Sequence, residues 1–448
     1  MITQTPPEVR AAVEWRFPAA TDAVLDNGLR VLALRCPGQY VVSASLVFDV
    51  PLNAEPPAVE GVAGLVARCL TRGAGDLSAD EFADALAACG AELDAAAAPD
   101  AFAVRLSVPA SQLARGLELM ALAVRAPTYV AKDFEQEQRL RLQEIEVAAA
   151  YPGAVTVEVL NRALFGSARA ARPTGGTSET VTAVTRDDAV EFGRQHLQPS
   201  SAVLILAGDF AGSDPAAAVA AAFGDWAHRG GDLVDAEKAV VNGQPRVLLV
   251  DWPDAPQATL RIAGAGITRG DSRWPAMFVA NYVVGGSFGS RLNTVLREQK
   301  GFTYGVSSSL DSSRGVGLFG VGASVQSEAT GESVADILAI LEDARRTLRQ
   351  EEVAVAVRAT TDSAAMGFER AEAVVARVEM LVSQRLPLDH VDTNLARIRA
   401  VTATDANAAY VSVLDPSSLT IVVAGDAGAL ADSLAASGHA PVEVLPRP

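Results

Sequence analysis

Short apolar runs bounded by turn residues mark buried strands, and two such runs open the chain, from Leu29 to Leu34 and from Val41 to Val50. Apolar positions then recur at helical spacing across 60–73, 78–90 and 111–125, and a long helix is predicted from about 131 to 150. The later chain predicts strands at 246–251 and 258–267, helices at 273–284 and 290–300, strands at 302–310 and 316–325, and a helix at 328–349. Between the two series lies RGGDLVDAEKAVVNGQ, residues 229–244, whose polar, glycine-containing pattern reads as a linker. The predicted organisation is therefore a domain over 1–228, the linker, and a second domain over 245–448.

The two domains share a repeat. Residues 183–209, AVTRDDAVEFGRQHLQPSSAVLILAGD, and 400–426, AVTATDANAAYVSVLDPSSLTIVVAGD, align without a gap at an offset of 217, with 12 of 27 positions identical. Each copy predicts a Thr N-cap (Thr185, Thr402) followed by acids in the first helical turn, then a Pro-Ser-Ser turn and a buried strand ending in Gly-Asp. Twelve identities at constant offset favour duplication over chance convergence. Hairpin-like strands with segregated helices in each half predict an α+β fold, each sheet packed with helices, rather than a doubly wound parallel sheet.

Composition narrows the functional classes. At 448 residues with 49% hydrophobic and 20% charged content, the chain has ample material for folded domains; aromatics are only 5%, because alanine supplies much of the apolar count. A net charge of −17 argues against nucleic acid, whose phosphates call for a basic face. No window approaches the apolar length of a membrane helix, and MITQTPPEVRAAVEWRF lacks the pattern of a secretory leader, so a cytoplasmic location is expected. Cys36, Cys69 and Cys89 cannot all pair and form no C-x-x-C, which fits a reducing compartment. His196, His228, His390 and His439 have no metal-site spacing and read as surface or capping residues.

The candidate chemistry lies in GGSFGSRLNTVLREQKGFTY, residues 285–304. With Val284, the run Gly285-Gly286-Ser287-Phe288-Gly289 fits G-x-S-x-G, the pattern of a hydrolase nucleophile elbow. That elbow needs a strand leading into the serine, whereas WPAMFVANYVV before it suits a helix at least as well, so Ser287 reads as a turn residue or N-cap. A phosphate loop is disfavoured, because no Lys-Ser or Lys-Thr follows the glycines. Gly264-Ala265-Gly266 reads as a strand bulge or close packing, and Arg269-Gly270-Asp271 as a polar turn. At the far end, Leu292, Val295 and Leu296 form a buried stripe with Arg297 on its flank, and Gly301 ends the helix. Beyond it Phe302, Tyr304, Val306, Ser308 and Leu310 should share one strand face. A guanidinium and a phenol presented near one another are suitable donors to a peptide carbonyl or a developing oxyanion.

Ser290-Arg291-Leu292, Leu296-Arg297-Glu298 and Gly301-Phe302-Thr303-Tyr304-Gly305 together resemble the C-terminal signature of the insulinase/pitrilysin superfamily of zinc peptidases, which includes the mitochondrial processing peptidase and the bc1 core proteins. The resemblance spans the chain and implies two homologous α+β domains. It implies that Arg297 and Tyr304 hold a peptide carbonyl, and that the glycine-rich loop of Gly285, Gly286, Ser287 and Phe288 contacts peptide. It also implies an inverted H-x-x-E-H zinc motif in EGVAGLVARCLTRGA, where Gly64 stands at the first histidine, Ala67 at the glutamate and Arg68 at the second histidine. The third ligand of the family matches Glu144, with Glu137 one helical face earlier; both also read simply as solvated helix positions.

One carboxylate does not make a catalytic zinc site. The resemblance therefore implies a non-zinc subunit with no metal of its own, zinc residing on a homologous, motif-bearing partner, and Arg297 and Tyr304 acting in trans on a peptide bound there. The alternative it implies is a non-catalytic, peptide-binding or scaffold homodimer like the bc1 core subunits.

Overall fold

A computed structural model describes residues 15–210, 212–228, 230 and 233–447. Residues 1–14 of the N-terminal stretch read for a leader, and residues 229, 231 and 232 of the predicted linker, lie outside the described residues.

The apolar runs form two six-stranded mixed sheets. The first contains β1 (Ala20–Val24), β2 (Arg30–Arg35), β3 (Val41–Phe48), β4 (Glu92–Ala97), β5 (Phe102–Pro109) and β6 (Ala202–Gly208), in the order β1-β2-β6-β3-β5-β4. The second contains β7 (Arg246–Asp251), β8 (Gln257–Ala265), β9 (Thr303–Ser312), β10 (Gly317–Gln326), β11 (Thr420–Gly425) and β12 (Val442–Leu445), in the order β12-β7-β11-β8-β10-β9. The repeat is visible in the pairing: β2 lies parallel to β6 with Arg30 opposite Val203, and β7 parallel to β11 with Arg246 opposite Thr420. Both repeat helices begin in the same capping box, Thr185 with Asp188 and Thr402 with Asp405, so the local signal read from sequence corresponds to real helix starts. An α+β architecture of two mixed sheets packed with helices is what the repeat and the strand pattern predicted.

Three features depart from the expected pattern. The hairpin of β4 and β5 falls in the gap between the helices predicted over 78–90 and 111–125, where no element was predicted, because ELDAAA carries neither alternation nor bulk. The helix expected over 60–73 is regular only from Val62 to Cys69, and Gly73 beyond it takes a left-handed φ of 103°. The helices expected at 273–284 and 290–300 change to π-helical turns at Tyr282–Gly286 and Thr294–Gln299.

Each sheet has one face covered by its own half's helices. The other face is covered by a helix from the opposite half. Helix Pro152–Phe165 lays Val155, Leu160, Ala163 and Leu164 against Leu248, Val250, Val422 and Ala424 of the second sheet. Reciprocally, helix Ala371–Ser383 lays Val374, Val375, Val378 and Leu381 against Leu32, Leu34, Ile205 and Ala207 of the first. Polar clasps reinforce the exchange. Arg314, at the β9–β10 turn, pairs with Asp49 at 2.5 Å and donates its backbone N–H to Asp100, while Arg105 pairs with Glu379 at 2.5 Å.

Candidate functional site

The sequence-predicted site residues fall into two groups, one under each sheet, and among the described residues no hydrogen bond or ion pair joins them.

In the first half, Gly64 and Arg68 lie one turn apart on helix Val62–Cys69, hence on one face, while Ala67 is buried in the first core. Gly64 faces Gly175, whose Cα would lie 4.0 Å from an added Cβ. The Arg68 guanidinium reaches helix Ala131–Ala149 and donates from Nη2 to both carboxylate oxygens of Glu144, at 2.7 and 2.5 Å. Its Nη1 lies 3.5 Å from Glu137, whose other oxygen is 2.6 Å from Arg72 Nη2; Arg141 adds a third cation 3.3 Å from Glu144. The reading of both glutamates as solvated positions is therefore corrected for Glu137, which is 3% exposed, because Arg68 and Arg72 neutralise it inside the helix pair. Glu144 is half-exposed, and the Arg68 hydrogen bonds hold its carboxyl below the ordinary range. Burial pushes the neighbouring Cys69 thiol up to about 12, with Glu137 adding to the shift, so it stays protonated at neutral pH.

In the second half, the G-x-S-x-G run is not a nucleophile elbow: helix Trp274–Asn281 and its π turn lead into it where an elbow needs a strand. Gly285 is required by packing, since an added Cβ would lie 2.7 Å from Leu292 Cδ1 and collide with the Ser308 side chain. Ser290, not Ser287, is the N-cap of the next helix; Ser287 is a turn residue whose carbonyl accepts from the Ser290 N–H and from Asn293 Nδ2. Phe288 is 71% exposed, and the Arg297 guanidinium lies over its ring, 4.0 Å from the centroid, while pairing with Glu298 at 3.1 Å.

Tyr304 is not on the buried strand face with Val306 and Ser308. Along β9 and β10, Val306 pairs with Ala323 but Thr303 pairs with Val325, so three residues on β9 span two on β10. This β-bulge at Tyr304–Gly305 breaks the period of two and turns Tyr304 out to 92% exposure, while Val306 and Ser308 stay buried. Thr303 fixes the bulge, its Oγ1 accepting from the Gly305 N–H at 3.1 Å and donating to the Ser324 carbonyl at 2.6 Å. No hydrogen bond or ring contact joins Arg297 to Tyr304 among the described residues.

Two positioning residues escaped the sequence reading. The buried Asn293 amide donates to the Val306 carbonyl at 2.8 Å and accepts from the Val306 N–H at 3.1 Å. Asn281 donates to the Ser308 carbonyl at 3.1 Å and accepts from its hydroxyl at 2.6 Å. Both bind β9 to the helices that flank the Phe288 turn, the second of which runs on to Arg297. The only sequence signal was a polar residue on an otherwise apolar helix stripe.

The histidines do not converge. His196, read as a surface or capping residue, is instead 8% exposed against Phe192, and burial lowers its pKa. Among the described residues no three His, Cys, Asp or Glu side chains are grouped so as to hold a metal ion, and no helix is long and apolar enough to cross a membrane.

Residues 30–178 match the family model "Insulinase (Peptidase family M16)" and residues 183–360 match "Peptidase M16 inactive domain". A Streptomyces coelicolor protein named as an uncharacterized zinc protease is 28% identical over 407 residues, 87% of this chain and 86% of that protein. A nematode protein, the mitochondrial cytochrome b-c1 complex subunit 1 of Caenorhabditis elegans, is 25% identical over 191 residues, 43% of this chain and 40% of that one. The solved structure of a peptidase M16 inactive domain from Pseudomonas fluorescens superposes with a TM-score of 0.84 at 22% identity, covering 91% of this chain and 98% of that one. With both halves of the chain matched in order by models of one family, and the two-sheet fold shared with a member, this protein belongs to the M16 insulinase/pitrilysin family of metallopeptidases.

Proposed function

We propose that this chain is the non-zinc subunit of a heterodimeric M16 metallopeptidase, a partner that presents Arg297 and Tyr304 to a peptide held at the zinc of a homologous subunit. The observation that carries the reading is the fate of the carboxylates. Zinc takes about three protein ligands, and here Glu144 and Glu137 have as their cation the Arg68 guanidinium, with Gly64 and Ala67 contributing no donor. That donor set does not fit zinc, nor does Ala67 offer a base for water.

The second half supports the complementary role. Tyr304 is turned outward by a bulge and Arg297 rests on an exposed phenylalanine, so neither is consumed by the core of its own chain. In this reading Arg297 swings off Phe288 to meet the peptide carbonyl, Tyr304 donates its hydroxyl, and the Gly285–Phe288 loop flanks the peptide. Each donor contributes about 2 to 4 kcal/mol to the transition state, the scale of a lost oxyanion contact. The test is cleavage of an unstructured peptide by the chain mixed with a zinc-motif relative from the same genome. Arg297→Ala and Tyr304→Phe should each lower kcat/KM at least about thirtyfold, and full activity in either variant would refute the role.

The similarity to a b-c1 complex subunit favours a second reading, a non-catalytic scaffold homodimer. Native mass measurement with zinc counted per chain separates the two: a hetero-pair holding one zinc supports the first, and a zinc-free homodimer supports the second.

A further inference from the structure

Arg269 and Arg377 are half-buried arginines; burial lowers the pKa of each, the Arg377 charge adds to the shift at Arg269, and among the described residues neither guanidinium has a carboxylate partner. Each instead rests on an aromatic ring, Arg269 over Trp274 at 4.6 Å and Arg377 over Phe368 at 5.2 Å. Three other shielded arginines are matched with acids: Arg105 with Glu379, Arg169 with Glu55, Arg291 with Glu352. Arg269 and Arg377 stand unpaired at the seam where the two halves exchange helices.

Several contacts put these groups together. Arg269 follows β8, and its backbone N–H donates to Ser312 Oγ at 2.8 Å; Ser312 in turn accepts at its carbonyl from Gln384 Nε2 at 2.6 Å. Gln384 ends helix Ala371–Ser383, and Arg377 lies seven residues earlier, on the same face. Leu386 lies 3.5 Å from where a Gly270 Cβ would be. His390 opens the next helix, and burial, with the cationic side chains of Arg269, Arg377 and Arg397 adding to it, depresses its pKa, opposed only by Asp389. Arg269 Nε and His390 Nε2 are both closed off from solvent and lack a hydrogen-bond partner.

Two like charges held together without a counter-ion are unfavourable, and a buried nitrogen without a partner adds to the cost. One compact, multiply charged acceptor relieves all of these at once. We propose that Arg269, Arg377 and His390 form a binding site for a phosphate-type oxyanion, free phosphate or a phosphoryl group, that ties the β8 loop of the second half to the helix covering the first. Arginine forks match phosphoryl oxygens in pairs, and the two rings hold the guanidinium planes in place. Bound anion would fasten the seam. It is independent of the Arg297/Tyr304 site, which lies at the opposite end of the β9–β10 hairpin from Ser312.

The test is thermal unfolding and calorimetric titration of the full chain with inorganic phosphate, with pyrophosphate and with acetate, at constant ionic strength. Phosphate and pyrophosphate should raise the unfolding temperature in a saturable way, whereas acetate should not; tighter binding of pyrophosphate would point to a phosphoryl-bearing ligand, and equal binding to free phosphate. Arg377→Gln should weaken the apparent phosphate affinity at least about tenfold, the worth of one charge-assisted hydrogen bond. Without phosphate the same variant should unfold no earlier than wild type, since it removes one of two repelling cations, so lost binding cannot be ascribed to misfolding. Equal stabilisation by acetate, or an unchanged phosphate response in Arg377→Gln, would overturn the proposal.

Discussion

Replacing Arg68 by methionine tests the idea that a guanidinium has become the internal counter-ion of the first half. The substitution keeps the aliphatic stem and removes the charge that touches Glu144 at 2.5 and 2.7 Å and Glu137 at 3.5 Å. Breaking a fully buried pair costs about 3 to 5 kcal/mol. That figure does not apply in full, because Glu137 keeps Arg72 at 2.6 Å and Glu144 is 48% exposed and keeps Arg141. The exposed share is worth at most about 1 kcal/mol, and the weakened neutralisation of Glu137 adds about as much again, so about 1.5 to 2 kcal/mol is expected near pH 7.

Arg72→Met should cost more, about 3 kcal/mol, although Arg72 is the more exposed arginine, because it holds the short contact to the buried carboxylate. The pH dependence has a definite sign. Glu144 is held below its ordinary range, so its contribution is present above the unfolded value of about 4.3 and is lost as pH falls through the lower folded value. Urea midpoints of wild type and Arg68→Met should therefore differ at pH 7 and draw together toward pH 3. A difference within a few tenths of a kcal/mol at pH 7, or one that stays constant down to pH 3, refutes the counter-ion role.

Further outcomes follow from the same geometry. Gly64→His combined with Arg68→His places two imidazoles one turn apart facing Glu144, and should bind one zinc per chain by native mass spectrometry where the wild type binds none; no uptake would show that this face cannot converge on a metal. Tyr304→Phe should leave the urea midpoint unchanged within about 0.5 kcal/mol, because the ring is 92% exposed, and a larger loss would mark Tyr304 as structural. Gly285→Ala should destabilise by about 1 to 3 kcal/mol through overpacking against Leu292 and Ser308, read as a lower unfolding midpoint. Asn293→Leu should cost about 2 to 4 kcal/mol by leaving the Val306 N–H and C=O unpaired, and hydrogen exchange at Val306 should accelerate.

What could be read from sequence was whatever short-range chemistry writes locally. Thr185 and Thr402 announce helix starts because a cap needs only the next three residues, and the strands after Pro199 and Pro416 follow from continuous apolar runs. The Tyr304 bulge was missed although Gly305 inside a strand is a bulge signal, because the extra residue is defined only by what lies across on β10. Glu137 was misjudged for a similar reason: an acid on a polar helix looks solvated until Arg68 arrives from helix Val62–Cys69 and Arg72 from the bend after it. The crossing helices were missed because Pro152–Phe165 is mixed in pattern and its partner strands, β7 and β11, lie some 80 and some 255 residues later.

That exchange of helices has a consequence for how the chain is made. The first sheet is complete once β6 ends at Gly208, yet the helix that covers its second face, Ala371–Ser383, is synthesised some 175 residues later. At a translation rate of about 5 to 20 residues per second, Leu32, Leu34, Ile205 and Ala207 stay uncovered for roughly 9 to 35 seconds on every ribosome. The duplicated halves thus differ in their birth: the second is born with its foreign helix already waiting, whereas the first depends on whatever shields an apolar face until its own arrives.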